Sequence, residues 1–412
     1  MKRIPLPMRC SRASVGLFAG AGLVLAGCGA TTVNHAQATP ITVGASLSLT
    51  GDFAAQGQQF QNGYRLWAAQ VNKHGGLLGH PIKLVILSDA SSPTAVVTNY
   101  ETLINTDHAK LLLGPYSTLL TVPAAAVARR YGYAFIEGAG GGPSVFALNL
   151  HDLFDVSLPI ADNLTAFAHW VASLPSATRP KTAAYVTSND PFTEPQIPTA
   201  RGILQSAGLR TVLYTVFPSE VTSFASIADS VVQSHAQVVV LGATSLTTVA
   251  AFIQEFKLQN YNPEIFLSTQ SLAHQSLVSA VGQSALDGTM YPADWYYGYK
   301  NAESEAFVNA YVKAYGGSPS LISTSAAGAY AVGQVLADAV KATGGFSNSK
   351  IIAYLHSGVT LQTILGGVRF TSNGENPAAA DFAFQWQGAV VRQVAPATAP
   401  GSVRALFPKP DF

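Results

Sequence analysis

Cysteine is almost missing from this sequence. The 412 residues hold two, Cys10 and Cys28, both near the start. A chain that loses the first with a leader and modifies the second keeps no thiol for a disulfide, a cysteine-metal site or a nucleophile. Such a chain meets no redox hazard in an oxidising compartment. Charge is scarce and balanced, with 23 Lys+Arg against 22 Asp+Glu. That balance provides no basic stripe to displace counterions, which argues against a nucleic-acid partner. After residue 30 no run of about 18 apolar residues occurs, so the body of the chain does not span a membrane. Enzyme signatures are absent as well: there is no Gly-x-Ser-x-Gly, no His-Glu-x-x-His and no phosphate loop ending Gly-Lys-Ser/Thr. The nine histidines are scattered, mostly in expected loops, as solvated side chains are. No metal site and no cofactor are expected. What the chain does have is apolar substance, 48% hydrophobic and 10% aromatic, enough for two or three domains and too much for disorder.

The first residues have their own logic. Lys2, Arg3, Arg9 and Arg12 form a basic start without an acid, and Ala13 to Leu25 is an apolar run too short to span a membrane. It ends Leu25-Ala26-Gly27-Cys28. Small residues before a Cys at that point resemble a bacterial lipobox. The resemblance implies a signal peptide over 1–27, cleavage before Cys28 and a lipid on its sulfur, an anchor to the membrane. Residues 28–40 read as a tether, small and polar without periodicity.

From Ile41 onward strands and helices alternate, twice over. Short apolar strands are expected at 41–47, 82–87, 111–114 and 133–136, with helices between them. The pattern restarts near residue 160, with strands at 182–186, 211–216, 238–241 and 265–267 and helices at about 196–207, 223–234 and 246–258. Continuous apolar strands separated by amphipathic helices imply parallel sheets covered on both faces. There is an internal echo: Leu111-Leu-Leu-Gly-Pro-Tyr-Ser117 resembles Val239-Val-Leu-Gly-Ala-Thr-Ser245. In each, an apolar strand ends in Gly and a hydroxyl residue opens a helix. Further helices at about 303–315 and 326–342 precede strands near 368–370, 381–386 and 389–394. The tail 396–412 is Pro-rich and reads as loosely packed.

Several stretches together resemble a known family. Leu47-Ser-Leu-Thr-Gly-Asp-Phe53, Gly57-Gln-Gln59, Asn62-Gly63 and Val71-Asn-Lys-His-Gly-Gly-Leu-Leu-Gly-His-Pro-Ile82 are similar to the start of branched-chain amino-acid type periplasmic binding proteins. Gly114-Pro-Tyr-Ser117, Asn189-Asp-Pro-Phe192 and Gly366-Gly-Val-Arg-Phe-Thr-Ser-Asn-Gly374 look like its later landmarks. The resemblance implies an α/β, type I bilobal fold: two Rossmann-like lobes with parallel sheets, joined by three crossover segments. Lobe one is then about 41–159 with 290–365, and lobe two 160–289 with 366–395.

The residues themselves suggest an anion site. Gly138-Ala-Gly-Gly-Gly-Pro143 follows a strand, and its small residues let backbone N–H groups approach a ligand. Pro143 stands where a dinucleotide fingerprint needs its third glycine. Ser117 and Thr118 open a helix, where hydroxyls and first-turn N–H groups can face the same anion. Ser117 fits a plain helix cap equally well. In the family, the matching Ser and the backbone after the next strand hold the ligand carboxylate, which implies Ser117, Ala139 and Gly141, with Gly140 between them. Gly141 stands where many members have Thr. Gln270 takes the place of the acid that pairs a ligand ammonium, and an amide cannot supply that charge. Gln56 stands where some members carry Tyr, and Phe192 matches a frequent Tyr of the cleft wall, with core packing an equal alternative. Thr244 of the echoing turn and Tyr296, from the aromatic run Trp295-Tyr296-Tyr297, complete the set. The expected function is a monomeric receptor, lipid-anchored outside the cytoplasm, that delivers a small polar or amphipathic solute with a carboxylate or amide-like head (an amino acid, an aromatic or aliphatic acid, an amide or a urea-like compound) to an ABC permease. A sensor signalling to a protein partner is the alternative, and a secreted hydrolase a distant one.

Overall fold

A computed structural model describes residues 38–299 and 301–412, and the leader, with Cys28, lies outside the described residues. The first sheet is built from β1 (Ile41–Leu47), β2 (Ile82–Ser88), β3 (Leu111–Leu113), β4 (Phe135–Glu137) and β5 (Leu153–Asp155), in the spatial order β2-β1-β3-β4-β5 and parallel throughout. Three helices return the chain between strands: α1 (Ala54–Lys73), α2 (Pro93–Asn105) and α3 (Thr118–Tyr131). α1 carries Phe60, Tyr64 and Trp67 to the core at helical spacing and stops before Gly75 and Gly76, both at positive φ. A one-turn helix, α4 (Pro143–Phe146), follows the Gly-rich stretch.

The second sheet repeats the scheme: α5 (Thr165–Ser173), β6 (Thr182–Ser188), α6 (Gln196–Ser206), β7 (Arg210–Phe217), α7 (Ala225–Gln233), β8 (Val238–Gly242), α8 (Leu246–Leu258), β9 (Ile265–Ser268), the short helices α9 (Gln275–Val281) and α10 (Gln283–Leu286), and β10 (Met290–Ala293). Along β8, Val238 and Val240 enter the core on one face while Val239 and Leu241 enter that on the other. The period-two alternation of a strand thus reads as continuous apolarity when both faces are covered.

The chain then returns to the first lobe. It adds α11 (Ala302–Tyr315), α12 (Thr324–Thr343), α13 (Asn348–Leu355) and a hairpin of β11 (Leu361–Thr363) and β12 (Gly366–Val368). Finally β13 (Phe382–Gln387) pairs antiparallel with β10, and β14 (Val390–Ala395) with β13, to give the order β14-β13-β10-β9-β8-β6-β7. The chain therefore crosses between sheets three times: after β5, after β10 and before β13.

Three expectations need correction. β10 is a strand of the second sheet, so the return to lobe one falls after Ala293 rather than at 290. Val368 and Phe370 pack in the first core, so the third crossing lies between Phe370 and Phe382 rather than at 366. The tail is docked, not loose. Leu406 N donates to Gln385 Oε1 at 2.7 Å, Lys409 N to the Glu264 carbonyl at 2.8 Å, and Phe412 packs near Phe256 and Phe266. Apolar residues spaced between prolines fasten it, so proline content was a poor guide to its packing. β5 and the helices α4, α9, α10 and α13 had no clear periodic signal.

Candidate functional site

The carboxyl ends of both sheets face one another, as open α/β folds place their ligand sites. Between them lies a cavity of about 80 Å³. Lobe one contributes Tyr116, Gly138, Ala139, Thr324 and Ser325, and lobe two Phe192, Thr269, Gln270 and Ser271. The first two crossings supply the floor through Ser157, Leu158, Ile160 and Asn163, and then Asp294. Tyr116 is fixed edge-on against Phe53 and Phe60, with ring centroids 5.9 and 5.5 Å away.

The walls touch. The hydrogen-bond partners of Gln270 set its amide with Nε2 donating to the Thr244 carbonyl (2.9 Å) and its oxygen accepting from Ser271 N (3.2 Å) and Gln56 Nε2 (2.7 Å). Gln56 comes from α1 in lobe one, so this bond spans the cleft. A second approach is that of Gly142 to Pro191, whose carbonyl lies 2.5 Å from where a β-carbon on Gly142 would stand.

Ser117 stands at the N-terminus of α3 but does not cap it. Its φ is 80°, a conformation costly for any side chain but glycine, and its buried hydroxyl has no partner. Gln56 is 3% exposed, and its Oε1 also lacks a partner. Thr118 accepts from Gly142 N at 3.2 Å and so ties the Gly-rich stretch to α3.

The amides of Ala139 and Gly140 are not aimed at the cavity. Glu137 ends β4, and its Oε2 accepts from Ala139 N (2.8 Å) and Gly140 N (2.5 Å). Asp155, ending β5, lies beside it and accepts Ser157 N (2.8 Å) and Ser157 Oγ (2.7 Å) on Oδ1. Burial first, and then their mutual repulsion, push Glu137 far above the ordinary carboxylate range. Burial, with a smaller contribution from Asp294, pushes Asp155 up to about 7 despite the bonds from Ser157. Such a pair holds a proton between its carboxyls at neutral pH. The pair also explains Gly141: a β-carbon there would fall 2.0 Å from Asp155 Oδ2, so no threonine fits.

Of the residues singled out from sequence, Ala139, Phe192 and Gln270 line the cavity. Gln56 and Thr244 reach it through Gln270, and Ser117, Thr118, Gly140 and Gly141 form the layer behind. Tyr296 is a correction. It is buried in the second core against Phe382 and Phe384, and its hydroxyl donates to the Pro400 carbonyl. Sequence reasoning missed Asp294, Glu137 and Asp155. The first sits directly before the aromatic run that drew attention, and the other two end strands whose side chains turn back beneath a loop.

The periplasmic binding protein family model matches residues 40–389. The chain belongs to the periplasmic binding protein family. Among its relatives, Leu/Ile/Val-binding protein homolog 3 of Brucella melitensis is 22% identical over 373 residues, 87% of this chain and 95% of that protein. A Pseudomonas aeruginosa protein described as an amino acid binding protein is 26% identical over 208 residues, 50% of this chain and 54% of its own. Among solved periplasmic binding proteins, a leucine binding protein from Thermotoga maritima superposes with a TM-score of 0.75 at 16% identity, covering 86% of this chain and 98% of that one. An R. palustris solute binding protein in complex with benzoate gives 0.74 at 20% identity, covering 89% and 99%. These likenesses establish the type I periplasmic binding protein fold.

Proposed function

We propose that this periplasmic binding protein is the solute receptor of an ABC importer, acting outside the cytoplasm as a lipid-anchored monomer held through Cys28. The carrying observation is the cavity at the facing strand ends, walled by both lobes and floored by two crossings. A solute that touches both walls favours the closed form by its differential affinity, and a permease that reads the closed form then accepts it. The aromatic faces of Tyr116 and Phe192 beside the hydroxyls and amides of Thr269, Ser271, Gln270 and Asn163 suit a small polar or amphipathic molecule. The names of relatives, which include Leu/Ile/Val-binding and benzoate-bound proteins, support that size class. No covalent step is required. No helix among the described residues is long and apolar enough to cross a membrane, so anchoring rests on the Leu25-Ala-Gly-Cys28 sequence.

A thermal-shift screen across amino acids, aromatic and aliphatic acids, amines, amides and urea-like compounds tests the reading. A ligand at 100 times its Kd adds about 2.7 kcal/mol of stability. A full screen without a single stabilising solute overturns it. Intact-mass analysis of the native N-terminus tests the anchor, which fails if Cys28 carries no acyl group.

A further inference from the structure

Three amides of the Gly-rich stretch are already in use. Glu137 Oε2 takes both Ala139 N and Gly140 N, and Gly142 N is shared between Thr118 Oγ1 and the Gly140 carbonyl. Glu137 is fully buried and backed by Asp155, so it has no second place to go and cannot leave the loop without losing its donors. An incoming anion would meet two buried carboxyls in a medium that screens poorly. Nor does the cavity wall offer a counter-charge: among the described residues lining it, none is lysine or arginine. Asp294 is the only one of them with a carboxyl. It sits on the second crossing, in the floor, and the cavity keeps it partly accessible. Two further acceptors on or behind the lobe-one wall lack partners, Gln56 Oε1 and Ser117 Oγ, both in residues less than 5% exposed.

We propose that the cleft binds a solute with a protonated amine and no carboxylate, the amine lying against Asp294. A desolvated carboxylate is matched by a cation. Burial pushes Asp294 up to about 6, so it is mainly ionised at neutral pH and gains most from such a partner. The proposal rests on the receptor reading above and narrows its solute.

The test uses the whole mature protein and matched triplets built on several carbon skeletons. Each triplet holds an amine, the carboxylic acid of the same skeleton and the amino acid that carries both groups; for one skeleton these are 3-methylbutylamine, 4-methylpentanoate and leucine. Calorimetry on the skeleton that binds should show the amine at least tenfold tighter than both partners. Asp294→Asn should weaken the amine at least tenfold while a neutral amide of the same skeleton stays within about twofold. An acid or amino acid that binds as tightly as the amine, or better, overturns the proposal and leaves the receptor reading intact. If Asp294→Asn does not fold, the ranking on the wild-type protein decides. Silence from every triplet and from the wider screen counts against both readings.

Discussion

The turns after β3 and β8 are near copies in sequence and opposites in structure. Ser245 opens α8 as helix-capping serines do: φ is −122°, and its hydroxyl accepts from Thr248 N at 3.2 Å. Ser117 opens α3 with φ at 80° and a hydroxyl bonded to nothing. Part of the contrast extends along each wall. In lobe two Ser188 Oγ and Thr193 Oγ1 are 2.9 Å apart, and Thr269 Oγ1 both donates to and accepts from Ala243, while Ser271 Oγ and Asp381 Oδ1 have no partner. Lobe one's strand ends carry Glu137, Asp155 and the unmet Ser117. A satisfied polar wall is rigid and specific to its own partners, whereas an unsatisfied one stores free energy that a ligand can release.

The largest expected effect is that of pH, which sets a buried carboxyl of the first sheet, Asp155, against Asp381 of the second and Asp294 of the crossing. A carboxyl whose folded pKa lies above its unfolded value holds its proton more tightly in the fold. The stability it contributes is complete below about pH 4 and is lost as pH rises through the folded value. Asp155 and Asp381 are pushed up to about 7 by burial, and Asp294 to about 6. The melting temperature of the ligand-free protein should accordingly fall between pH 5 and pH 8, on the order of 5 °C or more for a few kcal/mol. Asp155→Asn should flatten the slope. A melting temperature that rises across that window contradicts the raised carboxyls.

Two matched alanine substitutions come next. Ser245→Ala removes a real cap and should cost about 1 kcal/mol of unfolding free energy with solute affinity unchanged. Ser117→Ala should leave stability within about 0.5 kcal/mol and weaken binding by about three- to tenfold, one neutral hydrogen bond. Chemical denaturation and calorimetry on the pair check both. The reverse result, a destabilised Ser117→Ala with full affinity, makes Ser117 an ordinary cap.

The smallest effect is the most particular. Ser117→Gly relieves a left-handed backbone that glycine adopts freely, and should stabilise the protein by about 0.5–1 kcal/mol while lowering affinity as alanine does. Ser245→Gly, at an extended φ, should give no gain. Equal shifts in both mutants on denaturant titration would show that strain at Ser117 carries no weight.

Much of this molecule was legible in its sequence because both signals are local. Apolar runs of strand length bounded by glycine marked the sheets. The echo between Leu111-to-Ser117 and Val239-to-Ser245 marked the paired strand ends where Gln270, Phe192 and Ala139 meet. Less local facts were hidden. Met290-to-Ala293 gives no sign of pairing with β13, nearly a hundred residues on, so the lobe boundary was set too early. A Gly-rich loop after a strand reads as an anion cradle whether its amides face a ligand or the preceding glutamate, since only the χ angles of Glu137 decide. Tyr296 and its neighbours look alike in sequence, and packing alone sends Tyr296 to the core while Asp294 beside them floors the cleft.

The docked tail has a practical consequence. Thr39 leads into the first sheet, and Asp411 ends a segment fastened to the second through Lys409 and Phe412; both positions are exposed. Fluorophores at these two places straddle all three crossings without entering the cleft. Their energy transfer would read the angle between the lobes directly, making the chain its own protractor.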